Sequence, residues 1–249
     1  MKAMILAAGL GTRLRPLTDN TPKALVELNG RTLLEITIDR FKSFGIDEII
    51  VNVHHHAEKI ASFLQAKQNF KIRIELSRED DLLLDTGGGL KKAAWFFQEG
   101  NSNEPFLLHN VDVLSTIDFR QMLDAHKKNR ALATLAVQQR SSSRQLLFDQ
   151  DNLLAGRRKG AAADEIARPS TNLQPLAFSG IHILSPRFLN LITESGVFSI
   201  IDTYLRVARS GEKIAAFRAD SFYWRDLGRP EDLQGASGDL SKGASKRVI

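Results

Sequence analysis

Apolar and polar positions in the first half of the chain switch between two periods. Residues 4–8 are an unbroken run of small and apolar side chains, the mark of a strand covered on both faces. Thr32 and Glu35 form a capping box, and behind it Leu34, Ile38 and Phe41 share one helical face with Gly45 at the terminal cap. Glu48–Val53 is a β-branched run, whereas Ile60, Phe63 and Leu64 mark a second amphipathic helix. Ile72, Ile74 and Leu76 alternate as a strand over 71–76. The pattern then predicts a helix from near Gly88 through Ala94, Trp95 and Phe96, a strand at 105–109, a helix at 121–128 and a strand at 131–138. Strand–helix alternation of this kind implies an α/β class, with a doubly wound, mostly parallel sheet binding its ligands at the carboxyl ends of the strands.

From 139 to 175 the pattern breaks. The stretch is polar, with Ser141, Ser142 and Ser143 and a basic run at Arg157, Arg158 and Lys159, and it reads as a hairpin-and-loop excursion over the active face. Regular patterning resumes with a strand at 178–184, a helix at 200–208 and strands at 214–217 and 222–226. Residues 235–249 are rich in Gly, Ser and Lys and are expected to be a flexible tail. One domain over 1–234 with a small lobe follows, without repeats.

Composition narrows the function. At 249 residues, 43% hydrophobic and 25% charged, the chain can bury a large core. It has no cysteine, which excludes disulfides, thiolate metal sites and thiol catalysis and fits a reducing cytoplasm. Nothing approaches the ~20 apolar residues of a membrane span, and no signal-peptide pattern precedes Gly9, so no membrane partner is expected. A net charge of +5 without a long basic arm favours small anionic ligands over nucleic acid.

The chemistry concentrates at residues 4–25. The apolar strand empties into a turn with Gly9 and Gly11, then Thr12, Arg13 and Arg15, then Thr21-Pro22-Lys23. Glycines let backbone N–H groups close on an anion, and the basic side chains neutralise it. Leu14 stands where a dinucleotide fingerprint needs its third glycine, and the G-x-x-x-x-G-K-[ST] P-loop is absent. Three later segments are candidates too. Asp85-Thr86-Gly87-Gly88-Gly89 opens a helix with N–H groups suited to a ribose or base edge. Phe106-Leu107-Leu108-His109-Asn110-Val111-Asp112 brings a carboxylate to the end of a buried strand, costly unless paired or metal-bound. Trp224-Arg225-Asp226-Leu227-Gly228 supplies a second carboxylate.

The ordered series Leu-Ala-Ala-Gly-x-Gly-Thr-Arg-Leu-x-Pro-Leu-Thr, followed by Thr-Pro-Lys, resembles the sugar-1-phosphate nucleotidyltransferases, especially short members of the N-acetylmuramate-1-phosphate uridylyltransferase and mannose-1-phosphate guanylyltransferase kinds. The resemblance runs from Met1 to about Leu233. It implies a Rossmann-like fold and Mg²⁺-dependent transfer of a nucleoside monophosphate from an NTP to a sugar 1-phosphate, with pyrophosphate as the second product. It further implies a nucleotide site built from Leu6, Ala7, Ala8, Gly9, Gly11, Thr12, Arg13, Lys23, Thr86, Gly87, Gly88 and Asn110. Asp112 and Asp226 would be the metal ligands, and Arg13, Lys23, Asp112 and Asp226 the catalytic set. Ser179, Gly180 and Arg168 are the expected sugar-phosphate contacts. Val111 replaces the usual Gly or Ser, and Glu165-Ile-Ala-Arg168-Pro169 is a broken form of the family's Glu-Lys-Pro, leaving Arg168, Arg157 and Lys159 open as phosphate holders.

Other features read more plainly. Glu79, Asp80 and Asp81 are expected to be a solvated acidic loop, with contact to the base as the lesser reading. His54, His55 and His56 leave a strand in succession and cannot all face one ion, and His109 reads as a satisfied core residue. A phosphocholine-type cytidylyltransferase and a catalytically silent nucleotide-binding regulator stand as alternatives, and a dehydrogenase suits the basic cluster poorly. Base, sugar and the choice between monomer and small homo-oligomer stay open, and no hexapeptide-repeat extension is expected.

Overall fold

In the computed structural model, which describes residues 1–101, 103–160 and 162–241, the strands in chain order are β1 (Ala3–Leu6), β2 (Glu27–Leu28), β3 (Arg31–Thr32), β4 (Glu48–Val53), β5 (Arg73–Arg78), β6 (Phe106–Asn110), β7 (Val113–Ser115), β8 (Ala133–Gln138), β9 (Arg144–Phe148), β10 (Leu154–Lys159), β11 (Glu165–Ile166), β12 (Gln174–Leu184), β13 (Ile214–Arg218) and β14 (Trp224–Asp226). The helices are α1 (Leu33–Ser43), α2 (Ala57–Ala66), α3 (Asp85–Lys92), α4 (Ala94–Gln98), α5 (Phe119–Asn129), α6 (Arg187–Asn190), α7 (Ile200–Arg209) and α8 (Pro230–Ser241).

The main sheet is α/β and mostly parallel, as the alternation predicts. β5, β4, β1 and β6 run parallel side by side, and β12 enters antiparallel to both β6 and β8. β13 then adds parallel to β8. Period-two burial divides each strand between two cores. Ala3 and Ile5 face the layer of Leu34, Ile38 and Phe41 from α1, Ile60 and Leu64 from α2, and Phe119 and Met122 from α5. Met4, Ile50 and Leu108 face Leu90 of α3, Phe96 and Phe97 of α4, and Tyr204 and Leu205 of α7. Both faces are thereby dry, which is why these strands read as apolar runs.

Local signals hold where chemistry is local. The Thr32 side chain accepts the Glu35 N–H at 3.1 Å and starts α1. Differences arise where tertiary contacts decide. β5 begins at Arg73, because Gln68, Asn69, Phe70 and Lys71 all turn through positive φ. The helix expected from Gly88 starts at Asp85 and breaks at Ala93, and Phe97 then stacks on Phe106 at 3.9 Å between ring centroids. The expected tail begins too early. Residues 235–241 continue α8, with Ala236 buried and Asp239 accepting from Tyr223 and Arg225 at 2.9 and 2.8 Å. Those long-range tethers are invisible to a composition rich in Gly and Ser; residues 242–249 lie outside the described residues. The polar stretch at 139–175 holds β9, β10 and β11, an antiparallel lobe that extends the start of β12. Among the described residues, no helix is long and apolar enough to cross a membrane.

Two buried histidines tie the layers together. His126 bridges Thr134 of β8 (2.9 Å) and Ser185 beyond β12 (3.0 Å), and His182 meets the Tyr204 hydroxyl of α7 at 2.7 Å. Burial lowers the pKa of His126 to about 4 and that of His182 to about 3, so both are neutral in the folded protein. The unfolded chain protonates them near 6.5, so stability is undiminished above that pH and falls as pH drops toward 4 and 3. The slope is about 1.4 kcal/mol per pH unit for each histidine. Urea midpoints measured from pH 7.5 to 5 should therefore decline steeply below 6.5, and His126→Gln should flatten that decline by about one proton. An equally steep decline in the variant would contradict this account.

Candidate active site

A cleft of about 380 Å³ opens at the carboxyl ends of β1 and β6. Of the residues expected from the sequence, Leu6, Ala7, Ala8, Gly9, Lys23, Thr86, Asn110 and Asp112 line it. The β1 turn is pinned from beneath: the Ala7 N–H donates to the Asn52 side-chain oxygen at 2.8 Å. Gly11 needs to be glycine. Its φ is +66°, and a Cβ there would lie 3.0 Å from Thr18 and 3.2 Å from the Lys23 side chain. The exposed Thr12 and Arg13 form the short 3₁₀ turn that follows.

Lys23 leads a second 3₁₀ turn, is almost fully buried and ion-pairs with Asp112, 89 residues away. Asp112 sits in the turn between β6 and β7. Its carbonyl accepts the Leu227 N–H at 2.8 Å, and β14 pairs antiparallel with β7 so that Asp226 stands opposite Val113. The small two-stranded sheet thus brings the carboxylates of Asp112 and Asp226 to one place. Burial raises the pKa of Asp226, the Asp112 charge raises it further, and Lys23, the Gly228 N–H (2.6 Å) and Arg13 pull the other way. The Arg13 guanidinium lies over Gly228, 2.7 Å from where a Cβ would sit. All four residues of the expected catalytic set converge here.

Two half-buried, mutually repelling carboxylates beside a cation cradle fit a hard divalent ion completed by phosphate oxygens, since Mg²⁺ takes one or two protein carboxylates in such sites. Among the described residues, no group of three or more His, Cys, Asp or Glu side chains converges to hold a metal. The histidine triplet follows its bland reading: His54 bonds the Glu79 carbonyl, and the His55 and His56 rings lie against each other at 3.8 Å. His109 is buried beside Phe41 and Phe119, and burial lowers its pKa to about 3. Its Nδ1 bonds the Asn110 carbonyl at 2.7 Å, but Nε2 has no partner among the described residues, so it is only half satisfied.

Several expected residues do something else. The N–H groups of Gly87 and Gly88 are not free, for both donate to the Phe198 carbonyl, at 3.0 and 3.4 Å. Their missing side chains admit the loop after α6: a Cβ on Gly87 would strike Phe198 at 2.3 Å, and one on Gly88 the Gly196 carbonyl at 2.5 Å. Thr86 lines the cleft but uses its hydroxyl to accept from the Ile200 N–H at the start of α7. Ser179 is fully buried, and its carbonyl accepts the Trp224 indole N–H at 2.7 Å. Gly180 packs against Asn110, whose amide nitrogen would lie 2.8 Å from an added Cβ. Arg168 bonds Asp149 at 2.8 Å in the β9–β10 turn and is not among the cleft-lining residues.

Sequence reading missed the support. Glu79 is buried rather than solvated: one carboxylate oxygen accepts from Asn52 at 2.7 Å and the other from the Leu84 N–H at 2.8 Å. Asn52 and Glu79 therefore join the β1 turn to the turn before α3. Asp80 and Asp81 are exposed, as expected. Leu83, Asp85, Val111 and Val197 complete the cleft wall. The sequence clue to this support is Asn52, a polar residue that interrupts the β-branched run of β4.

Residues 2–243 match the family model described as nucleotidyl transferase. The chain is 31% identical over 260 residues to the UTP–glucose-1-phosphate uridylyltransferase of Synechocystis, across 97% of this chain and 64% of that protein. It is 30% identical over 247 residues to the N-acetylmuramate alpha-1-phosphate uridylyltransferase of Caulobacter vibrioides, across 96% of this chain and 97% of that one. Mannose-1-phosphate guanylyltransferase 1 of Arabidopsis thaliana is 29% identical, across 93% and 62%. The chain thus spans less than two thirds of the Synechocystis and Arabidopsis relatives and nearly the whole of the Caulobacter one. Among solved structures, HddC from Yersinia pseudotuberculosis complexed with GMP-PN aligns with a TM-score of 0.76 at 20% identity, over 96% of this chain and 99% of that one. A UDP-glucose pyrophosphorylase complexed with UDP-glucose aligns with 0.76 at 18%, over 97% and 98%, and both likenesses concern the fold. With the match running nearly end to end, the chain belongs to the nucleotidyl transferase family.

Proposed function

We propose that the protein transfers a nucleoside monophosphate from an NTP to a sugar 1-phosphate and releases pyrophosphate. The observation that carries this reading is the convergence of Asp226 and Arg13 on the Lys23–Asp112 pair, which itself lines the β1 cleft. The relatives' names support the substrate class, since all three act on a sugar 1-phosphate, while their bases and sugars differ.

An acceptor phosphate oxygen forms the new bond to the α-phosphorus, the α–β phosphoanhydride bond breaks in line, and pyrophosphate departs with the electron pair. The acceptor is already anionic and needs no general base, so the protein's task is positioning and charge neutralisation. Neutral, buried His109 is correspondingly absent from any proton step. The β1 turn and Asn110 hold the nucleotide against the cleft wall. Lys23, fixed between Gly11 and Asp112, points its ammonium at the phosphates, and Arg13 neutralises charge gathering on the leaving pyrophosphate. Asp112 and Asp226 would hold Mg²⁺, whose positive charge would offset the repulsion between the two phosphates. An NTP-consuming reaction of this kind suits the cytoplasm.

Incubating the protein with Mg²⁺, each of four NTPs and a panel of sugar 1-phosphates should release pyrophosphate with one pair, and silence throughout would refute the transfer reaction. Asp112→Asn should lower kcat by about 10²–10³-fold with far-ultraviolet circular dichroism unchanged; near-native turnover would remove Asp112 from the site. Lys23→Ala should depress kcat/KM by a similar factor of about 10²–10³, and unchanged kinetics would remove the cradle role.

A further inference from the structure

The acceptor phosphate calls for a cation beside it. The basic residues that the sequence offers for it are largely spent: Arg157 bonds Glu165 (2.7 Å) and Asp202, Arg158 bonds Asp164 at 2.8 Å, and Arg168 bonds Asp149. Lys159 is exposed at the end of β10.

Arg140 is different. It leaves the end of β8 with its N–H on the Gln138 carbonyl, and its side chain turns inward rather than out to solvent. The guanidinium carbon lies over the Trp224 ring, 3.7 Å from its centroid. Nη2 donates to the Phe178 carbonyl at 2.8 Å, and Nε is buried without a partner. Among the described residues it has no ion pair. Trp224 is itself fixed by its indole bond to Ser179, so Arg140 is braced against the two segments that carry Asp226 and Gly180. Asp226 is the carboxylate whose charge reaches it, without a hydrogen bond between them.

A half-buried guanidinium with unused donors and no counter-ion is electrostatically incomplete. Its planar fork and fixed orientation match a phosphate monoester, which accepts two parallel N–H bonds and supplies the missing charge. We propose that Arg140, which stands beside Asp226 and outside the cleft lining itself, receives the phosphate of the acceptor sugar 1-phosphate and holds it next to that carboxylate. This assignment deepens the transfer reaction proposed above and rests on it.

Steady-state kinetics of pyrophosphate release test it, with Arg140→Met, Arg140→Lys and Lys159→Ala beside the wild type. Arg140→Met should raise the acceptor KM on the order of 10–150-fold, the span of a lost charged hydrogen bond. NTP KM and NTP-dependent thermal stabilisation should stay within about twofold of wild type, a factor worth only ~0.4 kcal/mol. Arg140→Lys keeps the charge without the fork and should recover part of the loss. Inorganic phosphate, competing with the acceptor, should lose affinity in parallel, and this readout on Arg140→Lys suffices if the methionine variant does not fold. An unchanged acceptor KM, an equal rise in NTP KM, or a rise confined to Lys159→Ala would each overturn the role of Arg140. A wild type that turns over no pair overturns the transfer reaction itself, and this assignment with it.

Discussion

The ion pair between Lys23 and Asp112 is the contact on which the site's geometry depends. It joins the 3₁₀ turn that precedes β2 to the turn after β6 and is shielded enough that water screens it poorly. Removing either partner would strand a shielded charge, so the pair is better regarded as a constraint than as a source of net stability. Everything near it is set relative to that contact. Gly11 must stay small because Lys23 passes beside it, Asp226 feels the Asp112 charge, and Arg13 offsets what Lys23 leaves uncompensated.

Around the pair, the fold supplies two kinds of rigidity. The parallel strands bring Leu6 and Asn110 into register, giving the cleft its floor. A polar chain then ties floor to wall, from the Ala7 N–H through Asn52 and Glu79 to the Leu84 N–H. Every atom of that chain named here has its partner, the condition under which a buried polar network orders a structure rather than weakening it. The three consecutive glycines belong to the same logic. They are small to let Phe198, Gly196 and Glu79 close on α3, and the cleft gains its wall from that packing.

How much of this the chain discloses depends on whether the information is local. The capping box at Thr32 and the buried runs of β1 and β4 are contiguous, and each lies where its pattern puts it; the glycine block opens α3, but its Gly87 and Gly88 N–H groups go to the Phe198 carbonyl. Glu79 is opaque because an acidic triplet before a loop looks solvated, and only the fold brings Asn52 and the Leu84 N–H to its two oxygens. Arg140 is hidden for the same reason, standing in a polar stretch between Gln139 and Ser141 with no pattern around it. The end of α8 misleads in the opposite direction: Gly235 and Ser237 suggest looseness, yet Tyr223 and Arg225 reach across to Asp239. Sequence patterns therefore report the chemistry carried by backbone turns, while the side chains that brace those turns emerge only from three-dimensional pairing.

The β7–β14 pair has a consequence for how such a site changes over time. Asp112 and Asp226 are held close by the register of β14 on β7, three residues on each side, and by the Leu227 N–H on the Asp112 carbonyl. A strand's side chains alternate faces, so one inserted or deleted residue in either short strand would turn a carboxylate to the opposite side. Point substitutions at wall residues such as Val111 alter the cleft without shifting this register. The spacing of the two acids has no comparably gradual path, because it depends on the length of this ribbon.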